Sequence, residues 1–382
     1  MIVKIDFYRK HIFIMNDRQV IFVLNSTSVS YGGYYSTLRV FLLLFVLNGS
    51  VFAESFIPVK HSTWSVVLYV PESGELIAAS SSKYFNVIHR ICRVKDGVGL
   101  VISKARGDPK YFAALDYMEK GMTPSQALQT ILKEDISSKP SEPGSNSRQV
   151  VVVDYSGSIA VHTGKDTAAY SGHITNTSLN YVVLGNGLES SEVLEKMDAA
   201  LKKTSGDSWA KIEAAMRAAV EAGGEVRPEN SAGICYAGAK KEDSHFNNRG
   251  EFISVADSPD PVRELFRLMK LERSRIELER AFSFFEQGMI DQGFLHFNKA
   301  KELNDKDAEI LLWQGYFSYK TSLHDQALKI LAKGLKDSHP WGARMLERFG
   351  GEKGKEILAA FPNFGAAVSN PGKKQSPETK DQ

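Results

Sequence analysis

Three side chains at the ends of predicted strands could together break an amide bond. Thr63 stands at the head of the β-rich run 64–70, Lys83 follows the strand predicted over 75–82, and Asn186 lies in a Gly-Asn-Gly bend after a third strand. A threonine at a free N-terminus can attack a carbonyl carbon while its own α-amino group, with an ordinary pKa of about 7.7–8.0, accepts the hydroxyl proton. A nearby lysine could lower that pKa, and an asparagine amide could donate to the developing oxyanion.

This chemistry requires Thr63 to become the first residue of the mature chain. The apolar run 40–47 follows a basic residue and precedes the small residue Ala53, a pattern typical of a secretory signal peptide. Cleavage after Ala53 would leave Glu54 at the terminus, so a second cut between Ser62 and Thr63 would still be needed. Without that cut, Thr63 is a structural residue of a strand, which is the simpler interpretation.

The N-terminal pattern also predicts where the protein acts. Residues 1–53 are expected to be a signal peptide whose translation start is set too far upstream, and the mature protein is expected to be exported, either periplasmic or extracellular. The run 40–47 is too short to cross a bilayer, which takes roughly 20 residues, so no stable membrane span is expected. A buried strand is the alternative for this run.

The composition excludes several classes of protein. In 382 residues, 47 Lys and Arg balance 45 Asp and Glu, which argues against a nucleic-acid partner. The 43% of hydrophobic and 24% of charged residues are typical of globular domains. Cys92 and Cys235 are too few for a disulfide scaffold and are expected to be buried free thiols, with a disulfide between them as the alternative. The sequence has no His-Glu-x-x-His pattern and no Gly-rich phosphate loop, so it predicts neither a metal site nor a cofactor.

Strand hairpins alternate with paired helices over the first two thirds of the chain. Strands are predicted over 64–70, 75–82, 87–94, 97–104, 149–154, 158–162, 179–184, 231–236 and 252–256. Helices are predicted to begin at Pro109 and Pro124 and to cover 191–203 and 207–221. This order predicts an α+β fold with two antiparallel sheets and helices outside them.

Beyond residue 274 the pattern is helical only and repeats with a spacing of 34 residues. Small or bulky residues recur in the pairs Ser274 and Ala308, Ala281 and Gly315, Gly288 and Ser322, Gly293 and Ala327, Phe297 and Leu331, and Ala300 and Gly334. Small residues allow antiparallel helices to approach, so the pattern predicts all-α tetratricopeptide-like repeats with a cap near 342–349. Such repeats could bind a protein or peptide partner. A chance likeness between two helical hairpins is the alternative.

Several short stretches of the sequence resemble the family known as domain of unknown function 1028, and they occur in the same order as in that family. They are 62–67 (STWSVV), 74–76 (GEL), 82–85 (SKYF), 97–101 (GVGLV), 121–128 (GMTPSQAL), 148–154 (RQVVVVD), 162–164 (HTG), 171–173 (SGH), 185–186 (GN) and 258–262 (SPDPV). The resemblance implies a four-layer αββα sandwich of the N-terminal nucleophile (Ntn) hydrolase-like type over 54–271. Helical repeats and their cap would then cover 272–364, and a disordered polar tail 365–382.

Two functions are compatible with these patterns. The first is an exported amidohydrolase that acts on a peptide or another amide of the cell envelope, with Thr63, Lys83 and Asn186 as its catalytic residues. The second is a non-catalytic envelope binding or scaffold protein that uses its helical repeats for protein–protein contacts. The N-terminus of the mature protein separates the two, because only the enzyme requires it at Thr63.

Overall fold

A computed structural model describes residues 62–136, 144–237, 251–321 and 323–365. The predicted signal peptide and most of the predicted tail lie outside these residues. Within them, no helix is long and apolar enough to cross a bilayer.

The described part of the chain forms ten strands, twelve α-helices and two short 3-10 helices, Pro109–Ala113 and Ser145–Ser147. The strands are β1 (Thr63–Val70), β2 (Glu75–Ser82), β3 (Cys92–Lys95), β4 (Gly99–Lys104), β5 (Gln149–Asp154), β6 (Ile159–Thr163), β7 (Gly172–Asn176), β8 (Tyr181–Asn186), β9 (Ser231–Ala237) and β10 (Glu251–Val255). The helices are α1 (Val87–Ile91), α2 (Ala114–Glu119), α3 (Pro124–Glu134), α4 (Glu192–Lys203), α5 (Ser208–Glu221), α6 (Pro261–Glu286), α7 (Ile290–Leu303), α8 (Ala308–Lys320), α9 (His324–Asp337), α10 (Trp341–Phe349), α11 (Gly351–Ala359) and α12 (Pro362–Gly365).

The strands form two antiparallel sheets, which confirms the predicted α+β class. The larger sheet has the order β10-β9-β2-β1-β8-β7, and the smaller has the order β3-β4-β5-β6. Strand β1 pairs with β2 on one side and with β8 on the other, so it lies inside the larger sheet. Thr63, the first residue of β1, pairs with Asn186 of β8, and the pairing of β1 with β2 begins at the next residue, Trp64.

Three apolar clusters hold the sheets and helices together. Because side chains alternate across a strand, strands such as β1, β2, β4, β5 and β8 each contribute to two clusters. The inner cluster lies between the sheets and includes Val67, Leu76, Leu100, Ile102, Val151 and Leu184. A second joins the larger sheet to α4, α5 and α6 through residues such as Trp64, Met197, Ile212 and Phe266. A third joins the smaller sheet to α2 and α3 through residues such as Val150, Val152, Leu115 and Leu128.

The strand predicted over 87–94 was wrong in its first half, because residues 87–91 form the short helix α1. Asn86 takes a left-handed conformation with φ of 52°, which ends the extended chain after β2. Val87, Ile88 and Ile91 are then buried on one helical face, with the spacing of a helix turn. Strand β7 was not predicted, because its residues GHITN have weak strand propensity.

The prediction of free thiols was also wrong, because Cys92 and Cys235 form a disulfide. Cys92 lies in β3 of the smaller sheet and Cys235 in β9 of the larger sheet, so the bond joins the two sheets through the inner cluster. The two cysteines are 143 residues apart in sequence. Their proximity depends on how the sheets stack, and local patterns carry no information on that.

The C-terminal helices pack as antiparallel pairs, α6 with α7 and α8 with α9. The small residues singled out in the sequence lie where these helices approach. Ser274 Oγ donates to the carbonyl oxygen of Ala300 at 2.8 Å, and a Cβ atom added to Gly315 would lie 2.5 Å from Leu331 Cγ. The predicted boundary between residues 271 and 272 falls inside α6, which is one continuous helix.

Candidate active site

At one end of the sheets, the layer between them changes from apolar to polar. The inward-facing positions of five strands end there in Thr63 and Ser65 of β1, Ser82 of β2, Lys104 of β4, Gln149 of β5 and Asn186 of β8, each at most 3% exposed. We call these six residues the strand-end cluster. Buried polar groups of this kind need partners, and their partners define the geometry of the site.

Thr63 lies at the centre of the strand-end cluster, directly opposite Asn186 in the pairing of β1 with β8. Its Oγ1 donates to the carbonyl oxygen of Ser62 at 2.5 Å and lies 3.2 Å from Ser82 Oγ. Ser82 Oγ donates to the same Ser62 carbonyl at 2.7 Å. Two hydroxyls therefore converge on the carbonyl group that precedes Thr63.

Lys104 is the lysine that contacts Thr63, and the sequence analysis missed it. Its Nζ donates to the Thr63 carbonyl oxygen at 3.1 Å, to Ser65 Oγ at 2.9 Å and to the Leu184 carbonyl oxygen at 2.9 Å. Burial lowers the pKa of Lys104 well below its ordinary value, and the negative charge of Glu225 opposes this shift. Lys104 consequently gives up its proton more readily than a lysine in water.

The structure brings Asn186 to Thr63 but leaves the Lys83 side chain on the surface. Lys83 Nζ donates to Asn230 Oδ1 at 2.9 Å in an exposed position. Asn186 is fully buried, and its Nδ2 lies 3.5 Å from the Thr63 carbonyl oxygen and 3.2 Å from Gln149 Oε1. The amide predicted to stabilise an oxyanion thus contacts the main chain of Thr63.

Gln149 fixes the orientation of that amide. Its Nε2 donates to Thr163 Oγ1 and to the carbonyl oxygens of Gly172 and Gly185 at 2.9–3.0 Å. Its Oε1 is left to accept from Asn186 Nδ2. Strand alternation places Lys104 and Gln149 on the same strand faces as Ile102 and Val151. The contact of these faces with Thr63 follows from the stacking of the two sheets.

A cavity of about 260 Å³ opens beside Thr63 and Lys104. Helix α1 and the turn at residues 105–108 form its walls, and Arg90 and Arg106 supply cationic side chains. A substrate could therefore reach the Thr63 hydroxyl from this side.

A buried ion pair holds the turn that walls the cavity. Ala105 and Arg106 have φ of 55° and 66°, which residues other than glycine seldom adopt. Arg148 donates through Nη1 to the carbonyl oxygen of Arg106 and pairs through Nε with Asp135 Oδ2 at 3.0 Å. Although burial raises it, the pKa of Asp135 is held below its ordinary value by hydrogen bonds from Lys110, Arg148 and Tyr111. Asp135 therefore stays ionised and fixes Arg148.

A second pair of titratable residues, Glu225 and Arg227, lies beside Ser62. Glu225 Oε1 accepts from the Lys83 backbone N–H at 2.7 Å, and Arg227 Nη2 lies 3.6 Å from the same oxygen. Arg227 Nη2 also donates to Ser62 Oγ at 2.8 Å. Burial raises the pKa of Glu225 to about 8, although the Arg227 charge and the Lys83 N–H oppose this rise.

The family described as "Family of unknown function (DUF1028)" has a sequence model that matches residues 63–265. The chain belongs to this family. The crystal structure of a DUF1028 protein from Silicibacter pomeroyi is similar to it, with 21% identity and a TM-score of 0.47, over 55% of this chain and 85% of that one. No curated protein matches the sequence.

The matched DUF1028 region begins at Thr63 and includes the whole strand-end cluster. In the described ranges, His, Cys, Asp and Glu side chains form no group of three that could hold a metal ion. The cluster itself offers a hydroxyl nucleophile, a buried lysine of lowered pKa and hydroxyl and amide donors. These are the groups that acyl transfer from an amide requires.

Proposed function

We propose that this DUF1028 protein is an amidohydrolase of the Ntn type, with Thr63 as its nucleophile after cleavage of the bond between Ser62 and Thr63. One observation carries the proposal: Thr63 Oγ1 lies 2.5 Å from the carbonyl oxygen of Ser62, at the head of an internal strand. The helix–sheet–sheet–helix order of the three apolar clusters supports the four-layer αββα assignment. The helix pairs α6–α7 and α8–α9 support the tetratricopeptide-like assignment.

Maturation would use the groups already in contact. Thr63 Oγ1 attacks the carbonyl carbon of Ser62, the C–N bond breaks, and the hydroxyl proton passes to the Thr63 nitrogen. Water then hydrolyses the resulting ester, which leaves a carboxylate on Ser62 and a free amine and hydroxyl on Thr63. Ser82 Oγ, 2.7 Å from the attacked carbonyl oxygen, is placed to stabilise the oxyanion.

The mature site would then act on an amide held in the cavity. The Thr63 α-amino group accepts the hydroxyl proton as Oγ1 attacks the substrate carbonyl, and it returns that proton to the departing amine. Water hydrolyses the acyl ester to complete the cycle. Lys104 and Asn186 hold the Thr63 carbonyl from two directions, so the α-amino group and the hydroxyl keep a fixed geometry.

The N-terminus of the purified protein tests this proposal. Intact-mass measurement of the wild type is expected to give a chain that begins at Thr63. Thr63→Ala should leave the bond uncut, whereas Thr63→Ser, which keeps a hydroxyl, should still be cut. A wild-type chain that begins at Glu54 with no further cleavage rules out the Ntn mechanism.

We further propose that the protein is exported to the periplasm or the exterior and that its substrate is a peptide or another amide of the cell envelope. The disulfide between Cys92 and Cys235 supports export, because such bonds persist in oxidising compartments. Cell fractionation followed by thiol labelling is expected to find the protein outside the cytoplasm with both cysteines protected. A protein found with reactive thiols in the cytoplasm contradicts this part of the proposal.

A non-catalytic envelope scaffold is the second candidate. Trp341 is 40% exposed and Phe349 is 73% exposed at the ends of α10, and such apolar side chains can contact a protein partner. The same mass measurement separates the candidates, because a scaffold does not require a terminus at Thr63.

A further inference from the structure

The Ser62 side chain occupies a compartment of its own beside the bond that maturation would cut. Ser62 is 2% exposed, and its Oγ accepts from Arg227 Nη2 at 2.8 Å. Gly187 forms the facing wall, where an added Cβ atom would lie 2.6 Å from Ser62 Cβ. The compartment is therefore shaped around the side chain of residue 62.

Among the residues that the structure describes, two polar atoms of this compartment have no hydrogen-bond partner. Arg227 Nε and Glu225 Oε2 are both buried and form no hydrogen bond with any residue that the structure describes. The whole Glu225 side chain is inaccessible to solvent. Because buried polar groups are normally paired, this arrangement indicates that a further polar group binds there.

We propose that this compartment is the acyl-side subsite of Thr63 and that it binds the carboxylate of an acidic, aspartyl-like acyl group through Nε and Nη2 of Arg227. The proposal rests on the Ntn function, in which the Ser62 carbonyl takes the place of a substrate carbonyl. Of the two donors on this edge of the Arg227 guanidinium, Ser62 Oγ accepts from Nη2, and Ser62 also interacts with Glu225. A carboxylate at that position matches both donors of the guanidinium edge.

The surrounding charges are compatible with an anion. Glu229 Oε1 is occupied, because it accepts from Trp64 Nε1 at 2.8 Å and from the Glu225 N–H at 3.2 Å. Glu225, whose pKa is raised to about 8 by burial, is mostly protonated at pH 7. Its Oε2 can then donate a hydrogen bond to the bound carboxylate. Lys104 lies close enough to interact electrostatically with Glu225 and adds no negative charge.

Residue 62 itself provides the probe, because Ser62→Asp and Ser62→Asn place side chains of equal shape and different charge in the compartment. In the full chain, the Ser62→Asp variant should be cleaved about tenfold faster than Ser62→Asn at pH 7, the advantage of one charge-assisted hydrogen bond. Arg227→Met should remove the difference. Arg90→Gln, which removes a cation on the cavity side, should preserve it. A faster Ser62→Asn chain, or a preference that survives Arg227→Met, overturns the proposal.

A second measurement separates this proposal from the Ntn function. In a Thr63→Ala background that cannot be cut, Ser62→Asp should melt at a higher temperature than Ser62→Asn at pH 7, and Arg227→Met should abolish the gap. A wild type that is never cleaved removes the Ntn function, yet the melting comparison still decides whether the compartment binds a carboxylate. Equal melting temperatures, or a more stable Ser62→Asn chain, overturn the subsite.

Discussion

Lys104 Nζ lies 3.1 Å from the carbonyl oxygen of Thr63, although the two residues belong to different sheets and are 41 positions apart. The contact joins the larger and smaller sheets at the strand-end cluster. It couples the position of the candidate nucleophile to the stacking of the sheets.

Lys104→Met is expected to slow cleavage before Thr63 by about 10- to 100-fold, the range for loss of a hydrogen bond from a charged donor that positions the Thr63 carbonyl. The apolar side chain fills similar space but removes the hydrogen bonds to Thr63 and Ser65. Intact mass measured over time gives the rate, and thermal melting shows whether the variant folds. Lys83→Met is the matched control, because its Nζ donates to Asn230 Oδ1 on the exposed surface. An equal loss of cleavage rate in this control would contradict the role of Lys104.

Glu225 should make the folded protein less stable as the pH rises. Burial raises its pKa from 4.5 to about 8, so the native state holds a proton that the unfolded chain loses above pH 4.5. This contribution is complete below pH 4.5 and declines through pH 8, by roughly 5 kcal/mol in total. Urea unfolding at pH 5 and pH 8 measures it. Glu225→Gln should flatten the dependence, whereas Glu195→Gln on the exposed side of α4 should retain it.

Reduction of the disulfide between Cys92 and Cys235 is expected to lower the free energy of unfolding by roughly 2–5 kcal/mol. The bond closes a long loop and joins the two sheets, so its loss frees the unfolded chain and loosens the inner cluster. Urea unfolding with and without a reductant measures the effect. A Cys92→Ala, Cys235→Ala double variant should lose the response to reductant. Equal midpoints for the wild type under both conditions would refute this prediction.

Gly187→Ala should slow cleavage before Thr63 as well as destabilise the fold. The residue has φ of +59°, and the new Cβ atom would displace Ser62. Gly351→Ala isolates the backbone effect, because Gly351 has the same φ and a Cβ atom added there would meet no described atom within 4 Å beyond its own chain neighbours and helix backbone. That control should lose only about 1–2 kcal/mol of stability and should be cleaved at the wild-type rate. Equal cleavage rates in the Gly187→Ala and Gly351→Ala variants would show that the contact between Gly187 and Ser62 does not affect cleavage.

Local patterns predicted the fold class and many of its helices and strands. Thr123 and Pro124 predicted the start of α3, and the structure shows a capping box there with Gln126. The strand prediction was wrong over residues 87–91, because a few apolar residues are compatible with a strand and with a short helix equally well.

The candidate site was predictable only where it lies within one sheet. Thr63 and Asn186 end neighbouring strands, and sequence analysis selected both. Choosing Lys104 over Lys83 requires knowing which faces of the two sheets meet, and so does pairing Cys92 with Cys235. Such long-range stacking arises from the whole inner cluster, and a single segment does not encode it.

Helix α6 belongs both to the sheet-containing part of the chain and to the C-terminal helices. Its 26 residues extend over about 39 Å at 1.5 Å per residue. The first turns bury Val262 and Phe266 against the larger sheet, and the last turns place Ala281 against α7 and α8. A force applied to the C-terminal helices is therefore transmitted to the larger sheet through one continuous helix, and a truncation at residue 271 would divide that helix.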